Sequence, residues 1–224
     1  MIDRSGSLVR DLRTPRAAAI AGILFSLMLT AAVLLIQWAM PPDGDPSEWL
    51  TQDSRRRAMA IAIGLVPYAG IAFLWFIGVI RSRLGDLEDR FFATAFLGSG
   101  LLFVAMLFTA AAVTGAFLEL YGGKEPVTSA DARLTSAIVS ALLATFGIRM
   151  AAVFTLVVTN LGRRTGIVPP WLVVAGYATG LVLLFAPPRT LWATLLFPAW
   201  VLALSVNMLV LSLRKSAHPV ESRE

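Results

Sequence analysis

The chain has no cysteine, one histidine and only two lysines among its 224 residues. Without cysteine there are no disulfides, thiolate metal sites, cysteine nucleophiles or thiol redox relays. The single histidine, His218, lies in the C-terminal tail, so neither a haem held between paired histidines nor an ordinary zinc site has its ligands. No aspartate or glutamate falls in the interior of any long apolar run, which withholds the carboxylate pairs that much acid–base chemistry uses. His-Glu-x-x-His, Gly-x-Ser-x-Gly, Gly-x-Gly-Asp and the Walker loop are all missing, and Asp43-Gly44-Asp45 stands apart from any aspartate-rich pattern of phosphatidyl transfer. No catalytic constellation is visible. The chain reads as a protein that is not an enzyme, with no catalytic residue, no metal and no cofactor expected.

What the chain does hold is apolar surface. It is 57% hydrophobic and 15% charged, proportions foreign to soluble domains and ordinary for multi-pass membrane proteins. Six apolar stretches cover residues 17–40, 58–80, 91–120, 134–162, 167–188 and 190–213. A helix needs roughly 20 apolar residues to cross the hydrocarbon core, so all six meet the length requirement. The longest loop between them, 41–57, is too short for a separate folded unit. The expected fold is therefore all-α, a polytopic membrane helix bundle with six transmembrane helices. Residues 1–16 form a cytoplasmic segment, 17–213 the membrane domain and 214–224 a cytoplasmic tail.

Orientation follows from the positive charges, which favour the cytoplasmic side of short loops. With the N-terminus inside, the inner segments carry Arg4, Arg10, Arg13, Arg16, Arg81, Arg83, Arg90, Arg163, Arg164, Arg214, Lys215 and Arg223. The outer segments carry half as many: Arg55, Arg56, Arg57, Lys124, Arg133 and Arg189. Both termini are expected in the cytoplasm. The first stretch is too long for a signal-peptide core and reads as a retained signal anchor. Arginine and alanine abundance matches a high-GC bacterial genome, so the expected location is the inner (plasma) membrane. The net charge of +5 sits at the membrane borders, where it serves orientation and lipid attraction rather than nucleic-acid binding.

Local signals mark several helix starts. Asp45-Pro46-Ser47-Glu48 combines a cap acceptor, a first-turn proline and a third-position glutamate, predicting a short outer helix through Trp49 and Leu50. Thr128-x-x-Asp131 repeats the logic and predicts a fourth span starting near Ser129. Pro169-Pro170 can open the fifth helix, whose first turn has no use for those amide hydrogens. Pro67 and Pro198 fall inside spans two and six, where each should kink its helix or free a carbonyl. Arg13-Thr14 and Arg164-Thr165 precede spans one and five, and Pro41-Pro42 and Pro187-Pro188 follow them. The hairpins 1–2 and 5–6 could thus be distant copies.

Arg149 stands near the middle of span four. A charge there costs about 2.5–3.5 kcal/mol on insertion scales, so it ordinarily faces protein or water. At 3.6 residues per turn, Ala141, Thr145, Arg149, Ala152 and Asn160 share a small or polar face, flanked by Leu142, Phe146, Met150 and Phe154. This spacing points Arg149 into the bundle, where Tyr177, Asn207 and Tyr68 are the polar groups at comparable depth and none neutralises a charge. Two readings stay open. Arg149 binds an anionic visitor, such as a lipid phosphate, carboxylate or free anion, with Tyr177, Asn207 and Tyr68 as weaker ligands. Or it bonds backbone carbonyls, for instance those freed by Pro67 or Pro198.

The inner loop 81–90 carries six charges, read as a solvated turn or a docking loop. The outer acids Asp43, Asp45, Glu48 and Asp53 match no calcium-loop spacing. Small residues recur at four-residue spacing in Ala18, Gly22, Ser26 and Thr30, in Thr94 and Gly98, and in Gly176 and Gly180. Such rows let helices approach closely, within the bundle or between copies. The aromatic residues, Trp38, Trp171 and Trp200 among them, read as interfacial anchors or packing.

Two segments carry a resemblance. Leu161-Gly-Arg-Arg-Thr-Gly-Ile-Val-Pro-Pro-Trp-Leu172, followed by Gly176 and Gly180, resembles a hairpin of multi-pass membrane proteins, mostly actinobacterial, that include a group defined by a domain of unknown function. Arg83-Leu-Gly-Asp-Leu-Glu-Asp-Arg-Phe-Phe-Ala-Thr-Ala-Phe-Leu-Gly-Ser-Gly100 resembles the same class. Together they cover about an eighth of the chain. The resemblance implies the membrane class and lends no activity. The expected function is a non-catalytic binding, assembly or accessory membrane component; the alternative is a small transporter or a lipid- or anion-binding protein with an interior site at Arg149. Expected partners are membrane lipids, an anionic lipid or anion, and another membrane protein or a second copy, with no nucleic acid.

Overall fold

The computed structural model describes residues 5–40, 50, 52–84, 90–121, 128–166, 168–185 and 191–217, with side chains from Arg16 onward except at 82–84, 90–92, 129, 191–192 and 215–217. All regular structure among them is helical. The helices are α1 (Ser5–Ala39), α2 (Asp53–Leu84), α3 (Arg90–Tyr121), α4 (Ser129–Ser140), α5 (Ile148–Thr165), α6 (Pro170–Phe185) and α7 (Leu191–Ala217). A π-helical segment, Ala141–Gly147, joins α4 to α5 into one rod.

Hydropathy accounts for most of these boundaries. Five helical spans, Arg16–Ala39, Asp53–Arg81, Ala93–Tyr121, Ala130–Thr165 and Ala193–Arg214, are long and apolar enough to cross a membrane. The chain is a multi-pass membrane protein of the helical-bundle class. The fifth apolar stretch of the six forms a helix shorter than the other spans. Its helix, α6, is 16 residues long, about 24 Å at 1.5 Å per residue, against a core of about 30 Å. Proline pairs bracket it: Pro169-Pro170 cannot extend a helix backwards, and Pro187-Pro188 disfavours helical backbone before it.

Capping follows the predicted chemistry where the residues are described. Thr128 accepts the Asp131 amide at 3.2 Å and donates to the Asp131 carboxylate, which also accepts from the Tyr121 hydroxyl at 3.1 Å. This ties the end of α3 to the start of α4. The rod ends at Gly166, in the left-handed region at φ 66°, and α6 opens on Pro170. Asp43, Asp45, Glu48, Trp49 and residues 85–89 of the charged inner loop lie outside the described residues. Leu50 is helical and buried beside Ala39, Met59, Phe117 and Ala132.

Each rod packs on its neighbours in sequence, and α7 closes back on α1, so the bundle is a ring. Packing is most extensive between α1 and α2, and α6 leans on α5 more than on α7. Hairpins 1–2 and 5–6 are thus packed unalike. Phenylalanine fills the middle of the ring. Phe73 of α2 meets Phe25 of α1 at 4.4 Å, Phe103 of α3 at 5.5 Å, Phe154 of α5 at 5.0 Å and Phe197 of α7 at 5.7 Å between ring centroids. These separations and their tilted or edge-on angles are the favoured aromatic geometries. Phe73, Phe25 and Phe154 are wholly buried.

Two of the small-residue rows serve this ring. A Cβ at Gly22 would strike Ser205 Oγ and lie 2.9 Å from the Phe76 ring, and one at Gly180 would meet Leu156 at 2.6 Å. Side chains of the facing helices occupy the space that a Cβ would take. The row in α3 differs: Thr94 is exposed, and a Cβ at Gly98 would meet nothing within 4 Å. Large apolar side chains such as Trp75, Val174 and Phe185 cover the outside of the bundle, the surface that lipid contacts.

Candidate functional site

The rod carrying Arg149 changes its winding just before that residue. In the segment Ala141–Gly147 the bonds span five residues, ending with the Ile148 amide on the Leu143 carbonyl. Where such a ladder returns to four-residue bonds, one carbonyl is left without an amide donor. Arg149 supplies donors at that point. Its Nη1 donates to the Thr145 carbonyl at 2.6 Å and to the Ala144 carbonyl at 3.4 Å. An unsatisfied carbonyl inside hydrocarbon costs several kcal/mol, so this contact stabilises the irregular turn.

The π segment also rearranges the faces expected from a uniform 3.6-residue repeat. Each extra residue in a turn rotates everything downstream by about 100°. Ala141 is exposed while Ala152 is wholly buried, and Phe146 is 57% exposed while Phe154 is wholly buried. Ala141 and Ala152 were expected to share a face, with Phe146 and Phe154 on the faces that flank it. Arg149 consequently sits half-buried at the edge of the bundle rather than in its centre. The carbonyls it holds belong to its own helix, not to Ile63 or Thr194, the residues four positions before Pro67 and Pro198.

The other candidates do not converge on it. Tyr68 is 63% exposed on the outward face of α2. Tyr177 reaches Asn160, its hydroxyl donating to Oδ1 at 3.4 Å. Asn160 lies eleven residues beyond Arg149 on the same helix, about 16 Å along the axis, so Tyr177 and Arg149 occupy different depths. Asn207 lies seven residues beyond Trp200 on α7, about 10 Å further along, and its buried Nδ2 has no partner. Arg149 stands alone among the four.

Sequence reasoning missed a second polar group of residues. Most buried hydroxyls bond the carbonyl one turn back, as Ser26 does to Gly22 at 2.8 Å and Thr155 to Ala151 at 2.8 Å. Thr159 Oγ1 and Trp200 Nε1 are instead buried without a partner, and both abut Gly176. A Cβ there would fall on Thr159 Oγ1 and lie 2.8 Å from Trp200 Nε1. Gly176 was legible as a close-approach residue; what approached it was not.

Comparison with protein-family models, with curated proteins and with solved structures returns no match. The resemblance of segments 83–100 and 161–172 therefore stays a matter of membrane class.

Proposed function

We propose that the chain is a non-catalytic accessory or assembly component of a bacterial inner membrane, crossing it six times with both termini in the cytoplasm. The observation that carries this reading is the phenylalanine cluster around Phe73. It fills the centre of the ring with rings from five helical rods, while Arg149, Tyr177, Asn207 and Tyr68 lie apart. Transport or catalysis asks polar groups to converge on a shared cavity; here aromatic rings occupy the centre. In this reading the short α6 completes the sixth crossing with the residues that flank it.

A second reading is favoured by one observation. Among the described residues Arg149 has no carboxylate partner, and its bonds use a single guanidinium nitrogen. An anion or lipid binder would use the remaining donors.

The absence of native cysteine makes the test direct. Single-cysteine variants at Gly85, Gly123, Gly166 and Ser222 are labelled in intact cells with a membrane-impermeant maleimide. Labelling at Gly123 alone supports six crossings with internal termini; labelling at Gly85, Gly166 or Ser222 overturns that topology. Native mass spectrometry from membranes then tests the role. A stoichiometric complex with other membrane proteins supports the accessory reading. A lone chain retaining an anionic lipid or metabolite overturns it in favour of the binder.

A further inference from the structure

Three polar features of the bundle lie outside its aromatic centre. The Thr159–Gly176–Trp200 contact is closed on all sides and explains packing rather than binding. Tyr68 offers an unpaired phenol on an outward face, without charge to select a partner. Arg149 offers charge, depth and accessibility together.

Arg149 holds two backbone carbonyls through Nη1. Among the described residues its Nε and Nη2 make no bond, and neither is a sealed unpaired atom, so that edge of the half-buried guanidinium keeps accessible surface. The Nε–Nη2 edge is one of the two forks that take a carboxylate through paired, parallel bonds. In the two turns before it the rod presents exposed Ala141 and the exposed ring of Phe146. Such a surface admits a helix at close range.

Depth selects among occupants. Thr165, at the inner end of α5, lies about 24 Å beyond Arg149, and the apolar run also extends well before it. Arg149 is near the bilayer midplane, about 15 Å of hydrocarbon from the phosphates of either leaflet. Its engaged nitrogen is committed to the backbone, which limits any reach towards a headgroup. A second copy of this chain brings another arginine, and its acids Asp53, Glu119 and Asp131 lie at the ends of the spans rather than near the midplane.

We propose that the exposed Arg149 face of the rod docks a transmembrane helix of a different protein, whose aspartate or glutamate meets the free guanidinium edge near the midplane. This rests on the accessory reading above and names the chemistry of the partner.

The full-length protein is placed in phosphatidylcholine vesicles with a labelled leucine–alanine helix of about 20 residues bearing one central glutamate. Energy transfer reads association, and the central position makes the insertion direction of the peptide immaterial. The glutamate helix is expected to associate at least about tenfold more tightly than its glutamine or leucine counterparts. Arg149→Gln keeps donors for the carbonyls and removes the charge, so it should fold and lose that preference; Arg149→Lys should retain part of it. Equal association of glutamate and glutamine helices overturns the proposal, as does an Arg149→Gln protein that keeps the preference. Loss of association when phosphatidylglycerol replaces phosphatidylcholine overturns it in favour of a lipid anion. A native complex that survives Arg149→Gln unchanged overturns the carboxylate pairing while leaving the accessory role standing.

Discussion

Phe73→Ala tests whether the phenylalanine cluster holds the ring together. Phe73 is wholly buried and has Phe25, Phe103, Phe154 and Phe197 within 5.7 Å between centroids. Removing its ring empties roughly 100 Å³, and at about 24 cal/mol per Å³ of unrelaxed cavity that costs about 2.4 kcal/mol. Loss of the edge-on ring geometry adds about 0.5–1.5 kcal/mol. The transfer term that accompanies such changes in water is nearly absent, because separated helices still rest in apolar lipid. The expected loss is therefore about 3–4 kcal/mol. It is measured by reversible unfolding in mixed micelles titrated with dodecyl sulfate and followed by tryptophan fluorescence. Trp75→Ala is the matched control: Trp75 is 67% exposed on the same helix, and its loss should change stability by about 0.5 kcal/mol or less. A Phe73→Ala loss below about 1 kcal/mol, or one equal to that of Trp75→Ala, would refute the argument.

Glycines should separate by what stands opposite them. Gly176→Ala drives a methyl onto Thr159 and Trp200 and should cost about 1–3 kcal/mol, partly recovered in a Gly176→Ala/Thr159→Ala double variant. Gly98→Ala meets open space and should be neutral or stabilising by up to about 1 kcal/mol in the same titration. Thr128→Ala removes the acceptor for the Asp131 amide and should cost about 1 kcal/mol, with faster amide exchange at residues 129–132. Arg149→Leu strips the donors from the Thr145 and Ala144 carbonyls and should cost about 1–3 kcal/mol, whereas Arg149→Gln should cost less.

Much of the fold was legible because it rests on local rules. Five of the six expected spans are helices long enough to cross a membrane, and the Thr128 cap and Pro170 start fall where their chemistry placed them. Gly22 and Gly180 were readable as close-approach positions for the same reason, since a missing Cβ is visible in any sequence. The candidate site was less legible. Its face was drawn with one helical period across residues that do not keep that period, so Ala152 and Phe154 turned inward while Ala141 and Phe146 turned out. Nothing in Ala141–Gly147 announces the wider turns, because a π segment is stabilised by its surroundings rather than by a residue signature.

The sequence by itself determined the class of the protein: apolar runs matched to bilayer thickness, helices forced by the need to satisfy every backbone group in lipid, and caps written in short motifs. Only the tertiary structure decided which side chains meet. Phe73 found four partners on four other helical rods, and Arg149 turned onto the carbonyls of its own rod. The physical reason is rotational. Within lipid, burial gives little preference between one apolar face and another, so the rotation of each helix is settled by packing against its neighbours, and a few widened turns redirect every residue beyond them.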